Sequence, residues 1–275
     1  METMGIPDGS DMRGAALGTV SYETKDRQVS WRGVSIADGV DFTNFMTQDV
    51  ASRLNDKEGA NEFEDHLRGL ANTDFARESL DDILAAEILE ERDWAVGEAM
   101  AEAYLGREHQ IISPWNMGRD KRTPKASLPG ADLVGFEIAG NDVRLALGEV
   151  KTSSDADTPP NVMYGRSGMT HQIDKLANEL SLIAQLLKWL LFRCTSTPHK
   201  ASFDAAVSLF LDSGNKAVAL FGVLVRDTQP AQMDLQARGQ ALAGRLQDPT
   251  SCQLIAVYLP CAIADLPARV SGGVS

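Results

Sequence analysis

Residues 129–154, PGADLVGFEIAGNDVRLALGEVKTSS, hold two apolar stretches joined by the turn-forming residues Ala-Gly-Asn-Asp. This composition is typical of a tight turn between antiparallel strands and predicts a β-hairpin with strands at about 131–138 and 142–151. Side chains two residues apart in a strand point to the same face. Glu149 and Lys151 therefore share a face with the apolar residues that precede them, at the end of the second strand.

The hairpin also predicts where a second carboxylate lies. The start of the first strand is beside the end of the second, so Asp132 is expected next to Glu149 and Lys151. Two carboxylates repel each other unless a cation or a proton lies between them. A hard cation such as Mg²⁺, or Mn²⁺ in its place, takes oxygen ligands, and we expect them from Asp132, Glu149 and the carbonyl group of Val150. Lys151 would orient a water molecule or stabilise charge on a phosphate, so the set favours metal-assisted phosphodiester hydrolysis.

The rest of the chain alternates between helical and strand patterns. Helices are predicted at about 78–105, 171–194 and 229–246. The first is either one long helix or two helices broken near Arg92–Asp93, and it is expected to end at Gly106. Strands are predicted at 204–212, 217–226 and 253–259, and two short strands lie within 16–35. This order predicts an α/β fold in which a mixed β-sheet is flanked by helices on both faces. We expect a nuclease-type core over residues 73–275 and a small N-terminal lobe over residues 1–72.

Charge and apolar content limit the possible partners. The net charge of −13 argues against a free-standing, tight, non-specific DNA binder, but not against an enzyme with a local basic patch, a bound metal or a partner that delivers DNA. Three cysteines without metal-ligand spacing are typical of reduced thiols in the cytoplasm. The most apolar run, residues 180–192, is too short to span a bilayer. We therefore expect a cytoplasmic protein without a membrane segment.

Asp132 followed by Glu149-Val150-Lys151 resembles the signature of the PD-(D/E)xK nuclease superfamily. The flanking sequence is similar to one branch, the Hachiman-type anti-phage effector HamA and the AbpA abortive-infection family. The resemblance extends over about residues 75–260. It implies a restriction-endonuclease-like core, Mg²⁺-dependent DNA cleavage and a helicase partner with ATPase activity.

The resemblance also implies two further site residues. The superfamily often adds an acidic residue from the helix before the motif, and Glu98 occupies that place. Some members use a polar residue on the following helix, which corresponds to Gln172; the adjacent His171 is a weaker candidate for a ligand or base.

A basic cluster before Asp132 predicts contacts with phosphate groups of nucleic acid, although a solvated loop would have the same composition. The cluster consists of Arg119, Lys121, Arg122 and Lys125.

The motif also has simpler interpretations. Glu149 and Lys151 could form a surface ion pair, and Asp132 could cap the turn after Pro129-Gly130. A second E-x-K string, Glu23-Thr24-Lys25, is interpreted as a solvated turn.

Three functions therefore stay open. The first is a phage-defence nuclease that works with a helicase, and the second is a stand-alone restriction or repair nuclease. The third is a non-catalytic subunit that keeps the fold and binds a partner through the acidic residues 53–98.

Overall fold

The computed structural model describes residues 16–85, 93–120, 130–140, 142–195 and 197–272. Within them a seven-stranded mixed sheet forms the centre, in the order β1-β2-β7-β6-β5-β4-β3. The four middle strands β2, β7, β6 and β5 run parallel, and the outer strands are antiparallel to their neighbours. The strands are β1 (Thr19–Asp26), β2 (Val29–Ser35), β3 (Ile111–Ile112), β4 (Leu133–Ala139), β5 (Asp142–Ser153), β6 (Val218–Arg226) and β7 (Ser251–Tyr258).

Helices cover both faces of this sheet, which confirms the predicted α/β fold class. Two antiparallel helices, α3 and α4, have few contacts with the sheet. The helices are α1 (Val40–Asn44), which continues through a π-helical turn (Phe45–Val50) into α2 (Ala51–Leu54), then α3 (Lys57–Leu70), α4 (Asp74–Ala85), α5 (Asp93–His109), α6 (Met117–Asp120), α7 (Met169–Asn178), α8 (Leu180–Cys194), α9 (Lys200–Asp212), α10 (Met233–Ala243) and α11 (Leu266–Val270).

The apolar sequence of β6 explains its place at the centre of the sheet. All nine residues of β6, VALFGVLVR, are buried, as expected for a parallel strand that is covered on both faces. Each face of β5 has its own helix. Glu149 pairs with Gly222 of β6, where an added Cβ would lie 2.8 Å from Ile173 of α7. On the opposite face, a Cβ added at Gly97 of α5 would lie 2.2 Å from Oγ1 of Thr152.

The predicted hairpin is confirmed by β4 and β5, and the strands predicted at 217–226 and 253–259 are confirmed by β6 and β7. The strand predicted at 204–212 is wrong, because these residues lie in α9. Phe203, Ala206 and Phe210 are buried along one side of that helix. A short apolar run fits either a strand or a buried helix segment, and here the three- and four-residue spacing belongs to the helix.

Two predicted helices also differ from the structure. The helix predicted at 171–194 is divided at Glu179, whose backbone is extended with φ −96° and ψ 94°, into α7 and α8. For residues 78–105, the alternative of two helices broken near Arg92–Asp93 corresponds to parts of α4 and α5, and residues 86–92 between them are outside the described range. The predicted end at Gly106 is wrong, because α5 continues to His109.

Part of the expected N-terminal lobe belongs to the central sheet. Strands β1 and β2, which fall within residues 1–72, extend the sheet because β2 pairs with β7 in parallel. Trp31 of β2 is buried in the main core. Across the described part of the chain, no helix combines the length and the apolar content that crossing a membrane requires.

Candidate active site

The hairpin brings Asp132 against the end of β5. Leu133 pairs with Gly148, so the next pair outward is Asp132 and Glu149. The backbone N–H of Asp132 donates to the carbonyl of Gly148 at 3.0 Å, and the N–H of Val150 donates to Oδ2 of Asp132 at 2.9 Å. The first predicted carboxylate is therefore held by the same strand that carries the second.

Glu149 and Lys151 form a close ion pair. Nζ of Lys151 lies 2.5 Å from Oε1 of Glu149, and the two side chains are 21% and 7% exposed. Their position two residues apart on one face of β5 brings the groups together, as the sequence predicted. Because the carboxylate is buried and the lysine is partly exposed, the pair lies at a rim of the sheet and not in the open surface.

Burial raises the pKa of Glu149 to about 7, and the negative charge of Asp132 acts in the same direction. The positive charge of Lys151 opposes this shift. One lysine thus offsets only part of the cost of placing two carboxylates together away from water. An additional positive charge at this point would stabilise the ionised form of both acids.

The oxygen atoms present fit a hard divalent cation. Oδ2 of Asp132 accepts the N–H of Val150, Oε1 of Glu149 accepts from Lys151, and the two carboxyl groups are also within hydrogen-bond reach of each other. The backbone N–H and carbonyl of a strand residue point to the same side, so the Val150 carbonyl points toward Asp132. Among the described residues no group of three or more His, Cys, Asp and Glu side chains forms a metal site. A site with only two carboxylates suits Mg²⁺, which often uses one or two carboxylates and completes its shell with water and substrate phosphate.

The chain matches no protein-family model, and no curated protein sequence matches it.

Glu98 lies on α5, which covers the face of the sheet opposite to Glu149. Along β5 it is at about the same position as the candidate site. It is half-buried in α5, one residue after Gly97, whose close approach to Thr152 fixes the height of the helix along β5. Thr152 follows Lys151 and points to the opposite face. The role of Glu98 as a further acidic residue stays a prediction.

Gln172 lies in the first turn of α7, on the face of the sheet that holds Glu149. Its Nε2 donates to the carbonyl of Arg166 at 2.8 Å, so the amide binds the loop before the helix. Neighbouring His171 is exposed. The structure thus gives Gln172 a local bond, and its part in catalysis stays a prediction.

The basic cluster is described only in part. Arg119 falls in the short helix α6, whereas Lys121, Arg122 and Lys125 lie outside the described residues. Their contact with nucleic acid stays a prediction.

A buried polar cluster beside the site was not predicted. Arg226 ends β6 opposite Ser153 of β5 and is fully buried. Its Nη2 donates to the carbonyl of Asp157 at 3.2 Å, which ties the loop after the motif to the sheet. Oδ2 of Asp234, also buried, accepts a hydrogen bond of 2.9 Å from Tyr258. The signal that pointed to Lys151, an apolar strand that ends in a charged residue, also marks Arg226.

Proposed function

We propose that this chain is a metal-dependent nuclease that hydrolyses phosphodiester bonds in DNA. The observation that carries the proposal is the meeting of the Asp132 and Glu149 carboxyl groups at one rim of the sheet, with Lys151 bound to Glu149. An ordinary surface ion pair would not need a second carboxylate beside a buried one. The arrangement is costly without a cation, and a cation is what the proposed reaction requires.

The side chains have separate roles in this reaction. Asp132, Glu149 and the Val150 carbonyl would hold the ion. A bound Mg²⁺ polarises a phosphoryl oxygen and makes water a better nucleophile. Lys151 carries three N–H donors. Once an ion shares the charge of Glu149, these donors can turn toward the attacking water or toward the phosphate oxygens, where negative charge develops.

This chain would need a partner protein to bind DNA. The net charge of −13 disfavours binding of the lone chain to a polyanion. A helicase partner, as the resemblance to anti-phage effectors implies, would bring DNA to the site. We therefore propose that the chain is the effector subunit of a phage-defence system, and that the basic residues before Asp132 contact the DNA backbone near the cut.

Helices α3 and α4 offer a surface for such a partner. Residues 56–85 contain nine acidic and three basic side chains. Large apolar side chains are nevertheless exposed there, namely Phe63 at 56%, Leu70 at 63%, Phe75 at 79% and Ile83 at 62%. An acidic surface with apolar anchors suits a basic protein better than DNA or a second copy of this chain. The same surface would serve the alternative function, a non-catalytic docking subunit.

The test is plasmid cleavage with Mg²⁺ or Mn²⁺, with and without the product of the neighbouring gene. Wild type is compared with Lys151→Ala and with Lys25→Ala. Lys25 belongs to the other E-x-K string, which is exposed as predicted but lies in strand β1 and not in a turn. We expect cleavage by wild type and Lys25→Ala, and its loss in Lys151→Ala. Cleavage without the partner would favour a stand-alone nuclease. If no condition gives cleavage that depends on Lys151, the nuclease proposal is wrong.

A further inference from the structure

A cavity of about 630 Å³ lies beside the candidate site and shares no residue with it. Its walls come from Arg53 and Asp56, residues 113–116, Asp120, the end of α8, and residues 195 and 197–199. The volume is within the range of pockets that bind small molecules and is sufficient for one nucleotide.

One wall of the cavity is a fixed aromatic ring. Trp115 is buried, and its Nε1 donates to the carbonyl of Val134 at 3.0 Å. Val134 is two residues along β4 from Asp132, so the wall is anchored close to the candidate site. The ring also meets Trp189 edge-on, with centroids 5.7 Å apart. Only 2% of Trp115 is exposed, so this ring anchors the cavity to the core and leaves ligand contact to the other lining side chains.

A second aromatic ring stands at the cavity and is open to water. Phe192, the residue before Arg193 in α8, is 70% exposed although it lines the cavity. A ring in this position can cover one face of a flat ligand. Stacking of a base on an aromatic side chain contributes roughly 1–3 kcal/mol and does not depend on the identity of the base.

The two arginines that line the cavity differ in whether their guanidinium groups are available to bind a ligand. Arg193 is engaged, because its Nε lies 3.0 Å from Oδ1 of Asp120 and its guanidinium group lies 3.7 Å above the ring of Trp189. Within the described ranges, the guanidinium group of Arg53 forms no hydrogen bond or ion pair. A free guanidinium group on the wall of a cavity is suited to a phosphate group.

Acidic groups in the lining restrict the ligand further. Asp120 accepts the backbone N–H of Asn116 at 2.9 Å, and Asp56 caps α3 by accepting the N–H of Gly59 at 3.3 Å. Two carboxylates make the cavity unfavourable for a multiply charged bare anion. They favour a ligand that combines a single phosphate with a ring that offers hydrogen-bond donors.

We propose that this cavity binds one nucleotide, with its base stacked on Phe192 and its phosphate group toward Arg53. The inference goes beyond the proposed nuclease activity, since it uses none of the groups at Asp132, Glu149 or Lys151. The nucleotide has two possible sources. One is a free mononucleotide, and the other is a base turned out of a DNA strand.

Calorimetric titration of the full chain with each of the common 5′-mononucleotides tests the proposal, with adenosine and inorganic phosphate as the two halves of AMP. We expect at least one mononucleotide to bind roughly tenfold more tightly than either half, as a charge-assisted phosphate contact implies. Arg53→Gln should lower nucleotide affinity to that of the nucleoside. Phe192→Ala, which removes an exposed ring, should weaken nucleotide and nucleoside about fivefold or more.

Matched controls separate this site from the candidate active site. Phe75→Ala removes an exposed ring on another helix, and Lys151→Ala removes the proposed catalytic lysine; both should bind nucleotide as wild type does. A wild-type chain that binds nucleotide but never cleaves DNA would mean that the nuclease proposal alone has failed. Cleavage that depends on Lys151, in a chain that binds no nucleotide, would mean that the cavity proposal alone has failed.

Competition experiments identify the source of the nucleotide. Displacement by a single-stranded oligonucleotide, but not by its abasic counterpart, assigns the cavity to a base of the strand. If neither the oligonucleotide nor its abasic counterpart displaces the nucleotide, the cavity is assigned to a free mononucleotide. The proposal is overturned if no mononucleotide binds, if phosphate alone binds as tightly as AMP, or if Arg53→Gln and Phe192→Ala both leave binding unchanged.

Discussion

Nζ of Lys151 lies 2.5 Å from Oε1 of Glu149, and the lysine therefore neutralises part of the charge that a metal ion would use. From this we predict that Lys151→Ala abolishes DNA cleavage but binds Mn²⁺ at least as tightly as wild type. The comparison is made by calorimetry at about pH 8.5, where Glu149, with its pKa near 7, is ionised in the wild type. Weaker Mn²⁺ binding in Lys151→Ala would mean that the lysine organises the site and has no separate catalytic role.

Two substitutions at Asp132 separate its charge from its hydrogen bond. Asp132→Asn keeps an oxygen that can accept the N–H of Val150, so its free energy of unfolding should stay close to that of wild type. Asp132→Ala loses the acceptor and should unfold about 1–2 kcal/mol more easily. Both should lose Mn²⁺ binding and cleavage. Urea denaturation measures the difference in stability, and equal stability of the two variants would contradict the importance of the bond to Val150.

The contact between α5 and β5 has no room for a side chain at Gly97. Gly97→Ala would place Cβ 2.2 Å from Oγ1 of Thr152, and we expect a loss of about 1–3 kcal/mol in unfolding free energy. The double variant with Thr152→Ala should recover most of this loss. Gly69→Ala is the control, since the structure leaves that position open in α3, and it should stabilise the protein by roughly 0.5–1 kcal/mol. Thermal unfolding of wild type and these three variants tests whether the loss comes from this contact.

A partly buried histidine predicts how stability depends on pH. Burial, with a smaller effect of the charge of Arg32, lowers the pKa of His109 to about 4. Arg32 also donates a hydrogen bond of 2.6 Å to its Nε2. The unfolded chain binds a proton at about pH 6.5, so this contribution is full above that pH and is lost as the pH falls toward 4. It amounts to roughly 3 kcal/mol at most. His109→Gln should show a smaller loss of stability than wild type between about pH 7 and 4.5, and equal losses would contradict this assignment.

The hairpin was predictable because its signals are local. Alternating apolar residues, a short polar turn and the two-residue period of a strand together place Asp132 beside Glu149. The strand predicted at 204–212 failed for the opposite reason. Between Asp204 and Asp212 its residues are apolar except for Ser208, so the decision between helix and strand rests on packing against β5 and β4, which the local sequence does not contain.

Local sequence patterns also could not predict where Glu98 lies along β5. They could not predict the cavity either. Glu98 is placed by the contact of its neighbour Gly97 with Thr152, which joins positions far apart in the chain. The cavity draws on Arg53, Trp115 and Phe192, which lie in three separate segments. Such sites depend on long-range packing and become visible only with the fold.

The hydrogen bond from Val150 to Asp132 comes from the main chain and not from a side chain. Natural variation at position 150 can therefore change the size of this residue while the acceptor at Asp132 keeps its donor. Only proline, which lacks the amide hydrogen, removes the contact. The side chain of Val150 itself is 5% exposed and points away from Glu149, so orthologues should keep a hydrophobic residue here, chosen by its fit beneath α5.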